Sequence, residues 1–209
     1  MSKEKSKSTL IKDAITLFII TLIAGLALGF ISELTKNPIA DAEAKTKQKA
    51  YQSVYADATE FVEDDAIKAK VKDSEKFLKD HDLSGAEITE VLIAKNNSGE
   101  AIGYVISYLA TEGYGGNISI SMGMTNEGEI TGFEVLSASE TPGLGAKCKE
   151  SAFKDQFKGI NADSIEYTKD GATEDNQIDA ISGATITTKA VTKGVNAAIA
   201  FLKQDVMQG

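Results

Sequence analysis

Two hydrophobic patterns divide this chain: one long apolar run near the amino terminus, and shorter runs from about residue 88 onward. The first run, residues 14–31, contains 18 residues without a charge. It just reaches the length of a membrane-spanning helix, and its apolar flank extends the predicted helix to 14–34. The alternative is a cleaved signal peptide, which usually has a shorter apolar region that ends in a small-x-small site. The length and the lack of such a site favour a single transmembrane anchor.

Lysines flank this predicted anchor. Four of them precede it, Lys3, Lys5, Lys7 and Lys12. Because positive flanks stay in the cytoplasm, residues 1–13 are predicted to be cytoplasmic and the rest of the chain extracytoplasmic, as a single-pass protein of the cell membrane. An alanine- and lysine-rich stretch follows Pro38, so residues 35–87 are predicted to form a helical linker region.

Four short β-rich runs follow the linker region. They span residues 88–94, 102–109, 118–124 and 130–136. Their links are short, and one of them has the turn sequence Asn-Glu-Gly, so neighbouring runs are predicted to pair as antiparallel strands.

The carboxy-terminal segment shows helical periodicity instead. Within residues 187–206, Val191, Val195, Ala198 and Leu202 recur at the spacing of one apolar stripe. The predicted fold class is therefore α+β: a mainly antiparallel sheet with flanking helices, formed by residues 88–209 and preceded by one transmembrane helix.

The amino-acid composition restricts the kinds of partner and cofactor that the chain can bind. The apolar fraction of 42% and charged fraction of 25% are typical of a folded protein, and the net charge of −9 argues against nucleic acid as a partner. With one cysteine, Cys148, and one histidine, His81, the chain lacks the ligands for an iron–sulfur cluster, a c-type haem or a Cys/His zinc site. No metal site is predicted, so any redox chemistry requires an organic cofactor.

Two segments have the composition of ligand-binding loops. Residues 140–147 follow the fourth strand, and their glycines allow a ligand to approach the backbone; the alternative is a plain strand-to-helix connection. Residues 179–188 place four hydroxyl side chains and a glycine where the last helix starts, which suits an anion. The alternative there is helix capping by Thr187 or Thr188.

The second segment carries a resemblance to a known family. Residues 179–185, Asp-Ala-Ile-Ser-Gly-Ala-Thr, resemble the flavinylation motif Asp-x-x-Ser/Thr-Gly-Ala-Thr of the FMN-binding domain family. In that family a flavin transferase moves FMN from FAD to the final threonine, as a phosphoester. The resemblance therefore implies covalent FMN on Thr185. A partial match ends at Thr173, but Asp170 stands where the motif has Ser or Thr, so we expect no modification there.

Two more segments match the family in the same order. Residues 113–116, Gly-Tyr-Gly-Gly, are similar to its GYGG segment, and residues 140–145 are similar to its flavin-ring loop. A histidine often found before that loop is absent, because residues 137–139 read Ser-Ala-Ser. With its length and single anchor, the chain resembles the G subunits of the Rnf ion-translocating electron transport complex. The related C subunits of the sodium-pumping NADH:quinone oxidoreductase are usually longer.

This resemblance implies an electron-transfer subunit of a membrane-bound ion-translocating ferredoxin:NAD oxidoreductase complex. Its partners would be the other subunits of that complex and, during maturation, the flavin transferase. The chain would be a redox subunit without catalytic residues of its own, so the isolated chain is expected to catalyse nothing specific. Two alternatives remain: a flavin domain that serves a different extracytoplasmic reductase, and an anchored binding module without flavin.

The resemblance also implies which residues bind the cofactor. Asp179 would orient the motif or help the transferase to bind metal, Lys147 is a candidate to stabilise the reduced flavin, and Tyr114 would stack on the ring or pack in the sheet. The other predicted cofactor-binding residues are Ser182, Gly183, Ala184, Thr187 and Thr188 at the phosphate end, and Gly116, Glu140, Thr141, Gly143, Leu144 and Gly145 at the ring end.

Overall fold

The computed structural model describes the backbone of residues 2–208, and the side chains of residues 12–35, 45 and 47–208. Contacts divide the chain into two compact units, Met1–Thr46 and Lys47–Gly209. Lys3, Lys5 and Lys7, on which the predicted orientation depends, lie outside the residues whose side chains are described.

The first unit contains most of helix α1 (Ser2–Val54). Within this helix, the 24 residues Lys12–Thr35 have a mean hydropathy of 2.6, and their side chains are exposed. The segment is long and apolar enough to cross a membrane, as the prediction of an anchor over 14–34 requires.

The second unit is built around a five-stranded antiparallel sheet. Its strands follow one another along the chain and in space, in the order β1-β2-β3-β4-β5. They are β1 (Glu60–Val62), β2 (Ala86–Lys95), β3 (Ala101–Ala110), β4 (Ile118–Thr125) and β5 (Ile130–Ser137). The four predicted strands and their antiparallel pairing are confirmed, and β1 adds a short edge strand from the region predicted to be a linker.

Helices and short turns complete this unit. Helix α2 (Asp65–Asp80) precedes the sheet's long strands, and a 3₁₀ turn (Gly145–Lys149) and helix α3 (Ser151–Lys154) follow them. A second 3₁₀ turn (Asp155–Phe157) leads to a small parallel pair, β6 (Glu166–Thr168) and β7 (Gln177–Asp179). The chain ends in α4 (Thr185–Ala200) and a π-helical turn (Phe201–Val206).

Helices α2 and α4 cover one face of the sheet. Alternation along β3 turns Ile106 and Tyr108 toward this face, where they join the apolar stripe of α4 in one core. The stripe is confirmed, since its members are completely buried: Val191, Val195, Ala198 and Leu202. Helix α4 approaches β3 closely, because a Cβ on Gly194 would lie 2.9 Å from the Tyr108 ring.

Residues 50–58, at and after the end of α1, cover the other face. Tyr51, Val54 and Tyr55 are buried there against β2 and β3. The backbone of Val54 sits over Gly132, where a Cβ would lie 2.6 Å from its Cα. Thr131 Oγ1 donates a hydrogen bond to Val54 O at 2.5 Å. Small residues on the strands thus let the helix end pack directly on the sheet.

The folded unit consequently starts at Lys47 rather than near residue 88, where the strand pattern placed the start. The reason is physical: both faces of the sheet carry apolar residues, and residues 47–87 supply part of the cover for each face. Helix α2 contributes Ile67 and Leu78 to the main core, and its first turn is capped by Asp64, whose Oδ1 accepts from the Ala66 and Ile67 amides. The placement of this unit outside the cytoplasm stays a prediction.

Two buried tyrosines make a matched test of this core. The hydroxyl of Tyr108 has no hydrogen-bond partner among the described residues, whereas Tyr55 Oη donates to Ile102 O at 2.6 Å. We expect Tyr108→Phe to leave the free energy of unfolding unchanged or raise it by about 1 kcal/mol, and Tyr55→Phe to lower it by about 1 kcal/mol. Urea unfolding followed by circular dichroism measures both, and a larger loss from Tyr108→Phe would contradict the assigned core.

Candidate functional site

The three segments singled out in the sequence meet at one cleft. They are the turn between β3 and β4, the loop after β5 and the loop that leads into α4. Together they enclose a cavity of about 420 Å³. Its lining consists of Tyr114, Glu140, Thr141, Leu144, Gly145, Gly183, Ala184, Thr185, Ile186 and Thr187. A larger cavity of about 690 Å³ between α2 and the sheet contains none of the predicted site residues.

Glu140 joins the walls of this cleft. Its side chain is buried, and its two carboxylate oxygens accept hydrogen bonds from two different segments. The Gly115 amide donates to Oε1 at 3.1 Å, and Thr187 Oγ1 donates to Oε2 at 2.8 Å. One carboxylate thereby fixes the β3–β4 turn and the first turn of α4 to the loop after β5.

Glycines make room for this carboxylate. A Cβ on Gly113 would lie 2.8 Å from Glu140 Oε1, and a Cβ on Gly145 would overlap both Glu140 Oε2 and Thr187 Oγ1. These glycines are therefore required by close packing, in addition to any approach of a ligand.

The start of α4 is left open toward the cleft. Ala184 is its N-cap residue, and no side chain caps the helix. The predicted alternative of capping by Thr187 or Thr188 is wrong, because both residues lie inside the helix and their hydroxyls bond elsewhere. Thr188 Oγ1 donates to Ala184 O at 3.0 Å and accepts from the Ile181 amide at 3.1 Å. The first amides of α4, with the positive end of its dipole, remain available to an anion.

Thr185 stands at this open end. It is the first residue of α4, it is partly exposed, and it lines the cavity. Its hydroxyl has no hydrogen-bond partner among the described residues, whereas the hydroxyls of Thr187 and Thr188 are buried and hydrogen-bonded. Ser182 is exposed but is not among the residues that line the cavity.

The cleft has an exposed apolar rim. Tyr114 is 70% exposed, Leu144 44% and Ile186 55%. Among the described residues outside α1, these are the large hydrophobic side chains left exposed, and all three line the same cavity. Exposed apolar residues gathered around a concave site are typical of a surface that binds a ligand or a partner.

The described residues contain no cluster of His, Cys, Asp or Glu suited to a metal ion. Cys148 lies beside the cleft loop but is fully buried. Burial, and secondarily the charge of Glu140, raise the pKa of the Cys148 thiol to about 11. Cys148 is thus a small buried core residue and not an activated thiol.

Comparison with known proteins identifies the family. The FMN-binding domain family matches residues 113–200, a range that contains all three cleft segments. The chain is 37% identical over 191 residues to the G subunit of the Na⁺-translocating ferredoxin:NAD⁺ oxidoreductase complex of Acetobacterium woodii, covering 90% of this chain and 89% of that protein. It is 32% identical to the G subunit of the proton-translocating ferredoxin:NAD⁺ oxidoreductase complex of Clostridium ljungdahlii, covering 95% of each. The chain belongs to the family of G subunits of ion-translocating oxidoreductase complexes.

Two solved structures are similar to part of this chain. The crystal structure of NqrC from Shewanella oneidensis superposes with a TM-score of 0.45 at 22% identity, covering 52% of this chain and 54% of that one. The C subunit of the Na⁺-translocating NADH-quinone reductase from Parabacteroides distasonis gives a TM-score of 0.46 at 28% identity, covering 54% and 60%.

FMN is the cofactor of the matched domain, and the cleft of this chain fits it. A volume of about 420 Å³ lies within the range of roughly 300–1,000 Å³ that cofactor sites occupy. The apolar rim suits a flat aromatic ring, and the uncapped start of α4 suits a phosphate.

Not every predicted cofactor residue lines this cleft. Gly116, Gly143, Lys147, Asp179, Ser182 and Thr188 are not among its lining residues. Asp179 is exposed, and its Oδ1 accepts from the Ala172 amide at 2.6 Å, so it holds the loop before β7. Lys147 is exposed on the 3₁₀ turn. For Tyr114, the structure decides against packing in the sheet, since the residue lies in the exposed turn.

Ile186 is a lining residue that the sequence reasoning missed. The sequence could have indicated it, because Ile186 falls outside the apolar stripe of α4. A large hydrophobic residue at that position lies on the exposed side of the helix. The bridging role of Glu140 was also missed. No local pattern indicates it, since its two partners come from distant segments.

The bridge made by Glu140 predicts a specific stability difference. Glu140→Ala leaves the Gly115 amide and the Thr187 hydroxyl without their acceptor, so we expect the free energy of unfolding to fall by about 1–3 kcal/mol. Glu140→Gln supplies an oxygen for the amide and an NH₂ for the hydroxyl, so its loss should be smaller. Urea unfolding measures both.

The control for this comparison is Glu150→Ala. Glu150 is exposed, and its carboxylate makes no hydrogen bond among the described residues. Its replacement should change stability by less than about 0.5 kcal/mol. Equal stability of Glu140→Ala and the unaltered chain would refute the bridge.

Proposed function

We propose that this chain is an electron-transfer subunit of a membrane-bound ion-translocating ferredoxin:NAD oxidoreductase complex, and that it carries FMN as a phosphoester on Thr185. The relatives support the type of complex, since their names describe ferredoxin:NAD⁺ oxidoreductases that translocate Na⁺ or protons. The other subunits of that complex are the proposed partners.

The observation that carries the attachment site is the position of the Thr185 hydroxyl. Within the motif, Thr185 is the hydroxyl residue that lines the cleft, and its hydroxyl has no hydrogen-bond partner among the described residues, at the uncapped start of α4. Attachment consists of attack by Thr185 Oγ on the FMN phosphorus of FAD. The bond between the two phosphates breaks, AMP leaves, and the hydroxyl proton is released. A separate flavin transferase supplies this reaction.

The chain's own residues then bind and orient the cofactor. The first amides of α4 stabilise the phosphate, because the helix dipole places partial positive charge there. Tyr114, Leu144 and Ile186 supply apolar contact for the ring, and the Glu140 bridge holds the walls that present them. Bound FMN supplies the capacity to accept and donate electrons.

The proposal also includes the membrane anchor and the side of the membrane on which the FMN domain lies. Residues 14–34 span the membrane, residues 1–13 remain cytoplasmic, and the FMN domain lies outside the cytoplasm. A phosphoester has a physical advantage there, because a dissociated cofactor would be lost from the cell surface. The bond joins the end of FMN that is remote from the ring and leaves the ring's redox chemistry unaltered.

Covalent attachment is tested by co-expression of the chain with a flavin transferase. After denaturing electrophoresis, we expect a band that fluoresces under ultraviolet light for the unaltered chain and a dark band for Thr185→Val. Thr173→Val is the matched control, since Thr173 ends a similar Gly-Ala-Thr sequence in an exposed loop. It should remain fluorescent. A dark unaltered chain beside an active transferase control would reject the attachment.

Orientation is tested by labelling intact cells with a membrane-impermeant maleimide. Cys148 is buried with a raised pKa, so it should not react in the folded chain. A cysteine introduced by Ser98→Cys, in the exposed turn between β2 and β3, should be labelled without lysis. A cysteine at Ser6→Cys, within the predicted cytoplasmic segment, should be labelled only after lysis. The reverse result would place the FMN domain in the cytoplasm.

A further inference from the structure

The lining of the cleft contains a single charged side chain. Of its ten lining residues, Glu140 is the one with a charged side chain; the others are apolar, glycine or threonine. Two lysines lie nearby in sequence, but neither lines the cavity: Lys147 is exposed, and Lys149 Nζ donates to Ala138 O at 3.1 Å. Within the part of the chain that the structure describes, no lysine forms a salt bridge with Glu140.

This carboxylate is also held in place and shielded from water. It is 6% exposed, and its two hydrogen bonds fix both oxygens. Both donors are neutral groups, a backbone amide and a hydroxyl, so they do not cancel its charge. Charges act more strongly on each other in such a buried setting than in water, because the effective dielectric constant is lower.

We infer that Glu140 sets the reduction potential of the bound FMN, by holding a fixed negative charge in the wall of the cleft. The inference rests on the proposed function, since it requires FMN in this cleft. Uptake of two electrons and one proton leaves one net negative charge on the reduced ring. The Glu140 carboxylate repels that charge and makes reduction less favourable. The reduced cofactor is thereby kept a stronger electron donor for the next carrier.

Glu140→Gln separates this effect of charge from the structural bridge. Glutamine has nearly the same shape, its oxygen accepts from the Gly115 amide, and its NH₂ donates to Thr187 Oγ1. The walls of the cleft should therefore stay in place while the negative charge is lost. A purely structural role would leave the potential of this variant unchanged.

The experiment uses the full chain, purified in detergent after co-expression with a flavin transferase. The potential is measured by anaerobic titration with dithionite, which supplies the electrons, against a reference dye. We expect Glu140→Gln to raise the equilibrium constant for two-electron reduction at least tenfold, which is a rise of about 30 mV in potential. Glu150→Gln removes an exposed charge outside the cleft and should leave the potential unchanged.

Thr187→Val should change the reduction potential in the opposite direction. It removes the hydroxyl that donates to Glu140 Oε2 and keeps the carboxylate, so the negative charge loses one stabilising donor and the potential should fall. If Glu140→Gln does not accumulate as a folded flavoprotein, this variant decides the question. An unchanged potential in Glu140→Gln, or an unchanged or raised potential in Thr187→Val, overturns the inference.

Gel fluorescence of each sample keeps the two proposals distinct. A dark band from the unaltered chain rejects attachment at Thr185, and the potentials of the variants are then compared with FMN bound non-covalently. A fluorescent band with a potential that is insensitive to Glu140 retains the attachment and rejects the role of the charge.

Discussion

The hydrogen bonds of the Glu140 carboxylate hold the cleft together. One oxygen binds the amide of Gly115 and the other binds the hydroxyl of Thr187, so a single buried group connects the β3–β4 turn, the loop after β5 and helix α4. A buried carboxylate requires such partners, because desolvation without them is costly. Gly113 and Gly145 are constrained by the same group, since a side chain on either would occupy its space. The glycines of two sequence motifs, 113–116 and 140–145, are thus explained by one buried carboxylate.

The sheet explains why the folded unit begins within helix α1. Strands with apolar residues on both faces must be covered on both, and α2 and α4 cover only one. Residues 50–58 cover the other, where Val54 packs on the backbone of Gly132 and Tyr55 donates a hydrogen bond to Ile102. Residues 47–87 are therefore part of the cofactor domain's fold and do not form a separate linker.

Local patterns predicted the elements well. The four long strands and the apolar stripe of α4 follow from periodicities that adjacent residues define, and the structure confirms them. The predictions that differed concern packing between distant segments. The domain start was placed near residue 88 because residues 47–87 lack a strand pattern, although they cover the sheet. Capping by Thr187 or Thr188 was a reasonable local hypothesis, but their hydroxyls bond to Glu140 and Ala184 instead.

Four properties of this protein could be predicted from its residues alone: the class of fold, the apolar segment, the order of the three motifs and the family that they resemble. These properties depend on residue type and on spacing along the chain. The tertiary structure was needed to show that Thr185 lines the cleft, that Tyr114 stands at its rim, and that Glu140 bridges its walls. The partners of Glu140 lie 25 and 47 residues away from it. Contacts over such separations depend on how the sheet and α4 pack, and no pattern of neighbouring residues records that packing.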